Sequence, residues 1–150
     1  MKAESKERYH YTECGLKNVY IDGLHFADDD GEKVITIPNI HALHWLIAKD
    51  ILESKSINGD EIRFLRTEMG YTPKELAKEL EIAERTLKSM ENGKTTIKES
   101  VELKLRQLGF SLLVVPKWNV YSTPPKRRTR QIKAIRSRTS ISTYRLDQTA

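Results

Sequence analysis

The sequence of 150 residues contains a single cysteine, Cys14, and no long apolar run. One cysteine cannot form an internal disulfide, and a tetrahedral zinc site would need most of its ligands from other side chains. The longest apolar stretches, such as 111–115, are far shorter than the roughly 18 to 20 residues of a membrane-spanning helix. Residues 1–7 also lack the apolar segment of a secretory signal. We therefore expect a cytoplasmic protein without a membrane anchor.

Patterns typical of enzymes and metal centres are also missing. No Ser/His/Asp set, glycine-rich phosphate loop or pair of catalytic carboxylates can be placed with suitable spacing, so we do not expect an enzyme or a cofactor. The residues that could bind a metal form no close Cys or His pair, which favours structural or surface roles for them and no metal site. They are His10, Cys14, His25, His41 and His44.

Positive charge is concentrated at the C-terminal end. Residues 117–150 contain nine Lys and Arg and one Asp, whereas residues 57–110 contain ten basic and ten acidic residues. The C-terminal segment is rich in Ser and Thr and poor in large apolar residues, so it cannot bury enough surface to offset its ordering entropy. We predict a basic, largely disordered tail over 111–150, acting either as a non-specific phosphate-binding arm or as a solubilising tail.

The N-terminal segment, 1–56, has the pattern of a small α+β region. Short β-branched and aromatic stretches surround Asp22-Gly23 and the acidic turn 28–31, which predicts antiparallel strands joined by tight turns. After Pro38, apolar residues recur at helical spacing from Ile40 to Ile51 and predict a helix packed on the sheet. We expect this segment to supply a dimer or partner surface.

Residues 57–110 predict a cluster of four short helices. Thr72-Pro73-Lys74-Glu75 is a capping box with proline at the first helical position, which fixes a helix start at residue 73. Leu76, Ala77 and Leu80 face inward from that helix, and the next helix ends at Asn92-Gly93. Two short helices joined by a turn of about three residues, with a small residue at Ala77, have the spacing of a helix-turn-helix. A last helix is expected over 97–108.

The residues of this segment resemble a known family. Phe64-Leu-Arg, Tyr71-Thr-Pro-Lys-Glu-Leu-Ala and Thr86-Leu-Lys-Ser-Met-Glu-Asn-Gly-Lys are similar to the Cro/C1-type (XRE) DNA-binding domain over roughly 58–108. The resemblance implies a mainly α, lambda-repressor-like fold of four to five helices and binding to double-stranded DNA as a homodimer. This chain has Pro73 where many members have Gln, and Glu81 where many have Gly.

Matching positions to that family suggests which side chains touch DNA. The helix after the turn would enter the major groove, where Arg85 can bond both O6 and N7 of a guanine. The base-reading set implied is Glu84, Arg85, Thr86, Lys88 and Ser89. The phosphate-binding set is Thr72, Lys74, Asn92, Lys94 and Lys98. If Glu81 needs a positive φ, the turn costs about 1 kcal/mol.

A second resemblance concerns the N-terminal half. Tyr9-His-Tyr-Thr-Glu-Cys-Gly-Leu-Lys-Asn-Val-Tyr-Ile and the helix beginning Ile40-His-Ala-Leu-His are similar to MqsA-type antitoxins. That family binds a toxin through an N-terminal zinc domain, but its two cysteine pairs are absent here, so the zinc site is not carried over.

Three functions follow as hypotheses. The first is a homodimeric repressor, which in one version of the hypothesis regulates its own toxin–antitoxin operon. The second is an antitoxin that neutralises a toxin through residues 9–56, with DNA binding secondary. The third is RNA or non-specific nucleic-acid binding through the tail.

Overall fold

The computed structural model describes residues 8–24, 26–117, 130–136 and 141–146. Within these ranges the chain forms five α-helices and six strands, so the predicted mainly α fold with a small N-terminal α+β part is confirmed. The strands are β1 Tyr9–His10, β2 Val19–Asp22, β3 Phe26–Asp29, β4 Glu32–Ile35, β5 Arg130–Arg136 and β6 Ile141–Leu146. The helices are α1 Ile40–Glu53, α2 Gly59–Glu68, α3 Pro73–Glu79, α4 Glu84–Glu91 and α5 Glu99–Gly109.

Helix α1 lies at the centre of the molecule. The apolar positions predicted at helical spacing face the core, since Leu43, Ile47 and Ile51 are all fully buried. The helix is buried on nearly every side because it contacts α2, α5 and β6, and because the chain after α5 packs on it as a π-helical turn at Phe110–Val114. The Trp45 Nε1–H donates to the carbonyl oxygen of Val114 at 3.2 Å.

The described strands form two sheets, and only one of them has the expected antiparallel pairing throughout. Strands β3 and β4 form a hairpin closed by Asp30 and Gly31, whose φ values are +50° and +87°. Positive φ values at both turn residues are typical of the two-residue turns whose twist matches that of the hairpin strands. Gly23 also has a positive φ, but the strands on either side of it, β2 and β3, belong to different sheets, so Asp22-Gly23 does not close a hairpin.

The prediction of a largely disordered tail is wrong for the three segments of it that the structure describes. In the four-stranded sheet, with order β1-β2-β5-β6, strand β5 pairs in parallel with β2 and β6 pairs with β5. Composition suggested disorder because the segment has few large apolar groups, but a ladder on β2 satisfies backbone groups whatever the side chains are. Residues 110–117 also continue the helical path of α5. The rest of the predicted tail, 118–129, 137–140 and 147–150, lies outside the described residues.

Helices α2 to α5 form the second part of the core. Ile62, Leu65, Leu76, Leu87 and Leu105 are each no more than 1% exposed. Helix α3 begins at Pro73, as the capping box predicted, and α4 is followed by Gly93 at φ +73°. Helix α5 begins two residues later than predicted, because Lys98 has an extended backbone and takes the N-cap position.

The predicted segments 1–56 and 57–110 share one core. Buried apolar side chains from Tyr11 to Val114 form a single cluster. Gly109 of α5 packs so closely on α1 that a Cβ there would lie 2.7 Å from Leu52 Cδ2. Among the described residues, no helix has the length and apolar character to cross a bilayer.

Candidate nucleic-acid interface

The turn between α3 and α4 sets the direction of α4. Ala77 is buried, which fits the small residue expected at that position. Its carbonyl oxygen accepts a 3.0 Å hydrogen bond from the Ile82 amide. Glu81 has φ +57°, so the condition stated for this turn position is met and the backbone there is left-handed. Its side chain pairs with Lys104 of α5, and this hydrogen bond and charge lower the pKa of Glu81. The turn is therefore tied to α5 through a residue with a strained backbone.

Helix α4 has one buried side and one polar side. Leu87 and Met90 are buried against the core, whereas Arg85 and Lys88 are exposed. The other predicted base-reading residues, Glu84, Thr86 and Ser89, are partly exposed. All five thus lie on the part of α4 that the core leaves accessible.

An ion pair occupies part of this polar side. Lys88 Nζ lies 2.8 Å from Glu84 Oε1, one helical turn away. The hydrogen bond and then the charge of Lys88 lower the pKa of Glu84. Within the described residues Arg85 forms no ion pair, so its guanidinium is the cation on this side that is free to bind a new acceptor.

The loop after α4 is held against the helix by Ser89. The Ser89 hydroxyl bonds the Thr95 hydroxyl, and the Lys94 amide donates to the Ser89 carbonyl oxygen at 2.9 Å. Ser89 is therefore engaged in positioning the loop as well as lying on the predicted reading side. Thr95 was missed by the sequence analysis, because no local pattern links a threonine in a loop to a serine six residues earlier.

The predicted phosphate-binding residues lie at helix ends and in loops around α4. Lys74, Lys94 and Lys98 are exposed. Thr72 caps α3, since its hydroxyl accepts from the Glu75 amide at 3.2 Å, and Asn92 Oδ1 accepts from Arg63 at 3.0 Å. In the part of the chain that the structure describes, none of the three lysines forms an ion pair, whereas Thr72 and Asn92 already have structural roles.

A buried ion pair fixes the far end of α4 to α2. Glu91 is 5% exposed and accepts from Arg66 Nε at 2.7 Å and from Arg66 Nη2 at 3.4 Å. Arg66 also donates to the Tyr71 carbonyl oxygen at 3.2 Å, and Arg63 Nε lies 3.8 Å from Glu91. From the sequence, Glu91 was noted only within the segment that resembles the known family, and its burial was not predicted. Two arginines three residues apart on α2 were the signal that could have indicated its partner.

Close backbone contact reinforces this arrangement. A Cβ on Gly59, the first residue of α2, would lie 2.4 Å from the Met90 carbonyl oxygen and 2.6 Å from that of Glu91. Only glycine fits there without moving one of the helices. Gly59 and the Arg66–Glu91 pair together fix the angle at which α4 leaves the core.

Two of the candidate metal ligands, His10 and His44, have other contacts, and His25 lies outside the described residues. No group of three His, Cys, Asp or Glu side chains there could hold a metal ion. His10 stacks on Tyr20 with ring centroids 4.5 Å apart. His44 bonds the Tyr11 hydroxyl at 2.8 Å and Glu68 at 2.6 Å, linking the N-terminal segment, α1 and α2. A zinc domain of the MqsA type is not shown.

Comparison with known proteins agrees with this geometry. Residues 62–107 match the family model described as "Helix-turn-helix". Neither curated proteins nor solved structures gave a significant match to the chain. The matched range starts within α2, contains α3, the turn and α4, and ends within α5. Residues 62–107 therefore resemble a helix-turn-helix domain both in sequence and in the arrangement of their helices.

Proposed function

We propose that this protein is a sequence-specific DNA-binding transcriptional regulator that reads the major groove with α4. The observation that carries the proposal is the accessible polar side of α4 in a helix-turn-helix domain, with Arg85 free of any ion pair within the described residues. In this class of domain the second helix of the motif lies in the major groove while the first crosses the backbone.

The side chains around α4 suggest separate roles. Arg85 is the base reader, because its planar fork can bond O6 and N7 of one guanine, worth about 1 to 3 kcal/mol of discrimination. Glu84 and Lys88 neutralise each other at 2.8 Å, so on binding DNA one of them exchanges its partner for a base or a phosphate. Lys74, Lys94 and Lys98 contact phosphates and set the register without reading sequence.

The regulator is proposed to act as a homodimeric repressor in the cytoplasm. A two-fold dimer would place two copies of α4 in successive major grooves about 34 Å apart, which requires a nearly palindromic operator. No catalytic step is part of this role.

The test begins with selection of bound DNA from a random pool. Arg85→Ala should then lose preference for the selected guanine, whereas Lys94→Ala should weaken binding to all sequences by a similar factor. Lys55→Ala, an exposed lysine outside the helix-turn-helix, is the matched control and should bind as the parent does. If Arg85→Ala keeps the parental sequence preference, α4 is not the reading helix.

Protein-partner binding through residues 9–56, as in an antitoxin, is the second candidate. It is supported by the β3–β4 hairpin, which forms a separate two-stranded sheet with Val34 45% exposed. An isolated hairpin is marginally stable in water, so a partner packed on it would stabilise it. A stoichiometric partner that co-purifies with the parent and is lost with Val34→Asp would support this role.

A further inference from the structure

The helix-turn-helix domain supplies little of the charge that attracts DNA. Residues 57–110 contain equal numbers of basic and acidic residues, and Lys88, Lys104 and Arg106 each pair with a carboxylate of the same domain. Non-specific binding to duplex DNA depends almost entirely on cations that neutralise phosphates. An additional cationic surface would therefore be needed for fast, salt-sensitive association.

The excess positive charge lies in residues 117–150, and strands β5 and β6 of the four-stranded sheet belong to this segment. Residues 130–133 of β5 pair with β2, with Lys133 opposite Asp22, and Arg145 of β6 is opposite Lys133. Val19 and Ile21 of β2 are fully buried, so Tyr20 and Asp22 belong to the other face of the sheet. Residues opposite each other in neighbouring strands occupy the same face.

We call this face the outer face and define it by the positions of Arg8, Tyr20, Asp22, Lys133 and Arg145. Its described carboxylate, Asp22, is bound by Arg8, with Nε–Oδ1 at 2.9 Å and Nη2–Oδ2 at 3.3 Å. The register then adds two cationic positions, Lys133 and Arg145, in one row beyond Asp22. By register, this row of positions across the sheet thus contains three basic residues and one acidic residue.

We propose that the outer face is a second DNA-binding surface, which binds the phosphate backbone of a duplex without reading its bases. Duplex DNA is complementary in charge to this face, since a row of basic residues on a sheet matches a polyanion better than it matches a small ligand. The surface would supply the electrostatic attraction that the neutral helix-turn-helix domain lacks. DNA binding through the outer face is separate from base reading by α4 and does not require an operator.

The experiment measures affinity of the full chain for a random-sequence duplex as a function of salt. Each lost phosphate contact lowers the slope of log affinity against log salt by about 0.9. Lys133→Gln and Arg145→Gln should each show such a decrease, so that the affinity ratio between about 50 and 200 mM salt falls roughly threefold. Lys55→Gln, which removes the same charge from an exposed loop, should keep the parental slope.

Two further results complete the test. Arg145→Lys should keep the slope, because it preserves the charge; a loss equal to that of Arg145→Gln would mean a structural role and overturn the proposal. Parental slopes in both glutamine variants, or a larger effect on single-stranded RNA than on the duplex, would also overturn it. Failure to select any operator would count against base reading by α4. It would not affect the salt dependence measured with a random-sequence duplex, so the two proposals can be tested separately.

Discussion

Position 81 carries the most strained backbone of the helix-turn-helix. An L-residue other than glycine costs about 1 to 2 kcal/mol in the left-handed region. Glu81→Gly and Glu81→Ala both remove the pair with Lys104, so they differ mainly in the backbone at φ +57°. We predict that Glu81→Gly is more stable than Glu81→Ala by about 1 kcal/mol in chemical denaturation. Equal stability of the two variants would show that the turn relaxes to another conformation.

Glu91 holds α4 in position through Arg66. Removing one partner of a buried ion pair leaves an uncompensated charge and costs about 3 to 5 kcal/mol. We predict that Glu91→Ala lowers the free energy of unfolding by an amount in this range, measured by urea denaturation. Replacing both partners by apolar residues, Arg66→Met with Glu91→Leu, should recover most of the loss. A double variant as unstable as Glu91→Ala would contradict this account.

At the scale of elements, the start of α3 links folding to pH. The hydrogen bond from the Thr72 amide to Glu75, at 2.7 Å, is the main reason why the pKa of Glu75 lies below its ordinary value of 4.5. A lowered folded pKa gives stability that is present above the unfolded value and is lost as the pH falls through the folded value. Glu75→Gln should therefore be less stable than the parent above pH 4.5, and the difference should shrink in more acidic solution.

Thr72→Ala provides the contrast to this pH effect. It removes the hydroxyl cap of α3 but keeps the backbone amide that binds Glu75. We expect a loss of about 1 kcal/mol from the missing cap. The loss should depend on pH less than that of Glu75→Gln, because the Thr72 hydroxyl is only the second cause of the lowered pKa of Glu75, after the backbone amide. A loss in Thr72→Ala that disappears completely at acidic pH would mean that the hydroxyl, and not the amide, is the main group that stabilises the carboxylate.

How far each element could be predicted depended on where its determinants lie in the chain. The positive φ of Glu81 could be stated only as a condition, because glutamate does not favour that conformation. The start of α3 follows from a capping box within a few positions, so the sequence was enough to predict it. The same holds for the polar side of α4, which Leu87 and Met90 define by helical spacing. The parallel pairing of β2 with β5 joins residues more than a hundred positions apart, and no local pattern encodes it. The burial of Glu91 was missed for the same reason, since its partner lies on another helix.

At the scale of the whole molecule, the shared core predicts a single unfolding transition. In Trp118→Phe, the fluorescence of Trp45 reports on α1, while circular dichroism is dominated by the helices of the helix-turn-helix. Both should give the same midpoint, because α1 packs on α2 and α5. Ile47→Ala should lower both midpoints equally, with a cost of about 2 to 5 kcal/mol. Two separate transitions would mean that residues 1–56 and 57–110 fold as independent domains.

The position of β5 between β2 and β6 also has a consequence for biosynthesis. While the chain emerges from the ribosome, the N-terminal half and the helix-turn-helix are complete before residues 130–146 are made, and until then β2 has an open edge. Unpaired strand edges promote association between chains. A chain truncated before residue 130 would therefore keep helix α4 but be prone to aggregate, so we expect such products to be recognised by chaperones and proteases.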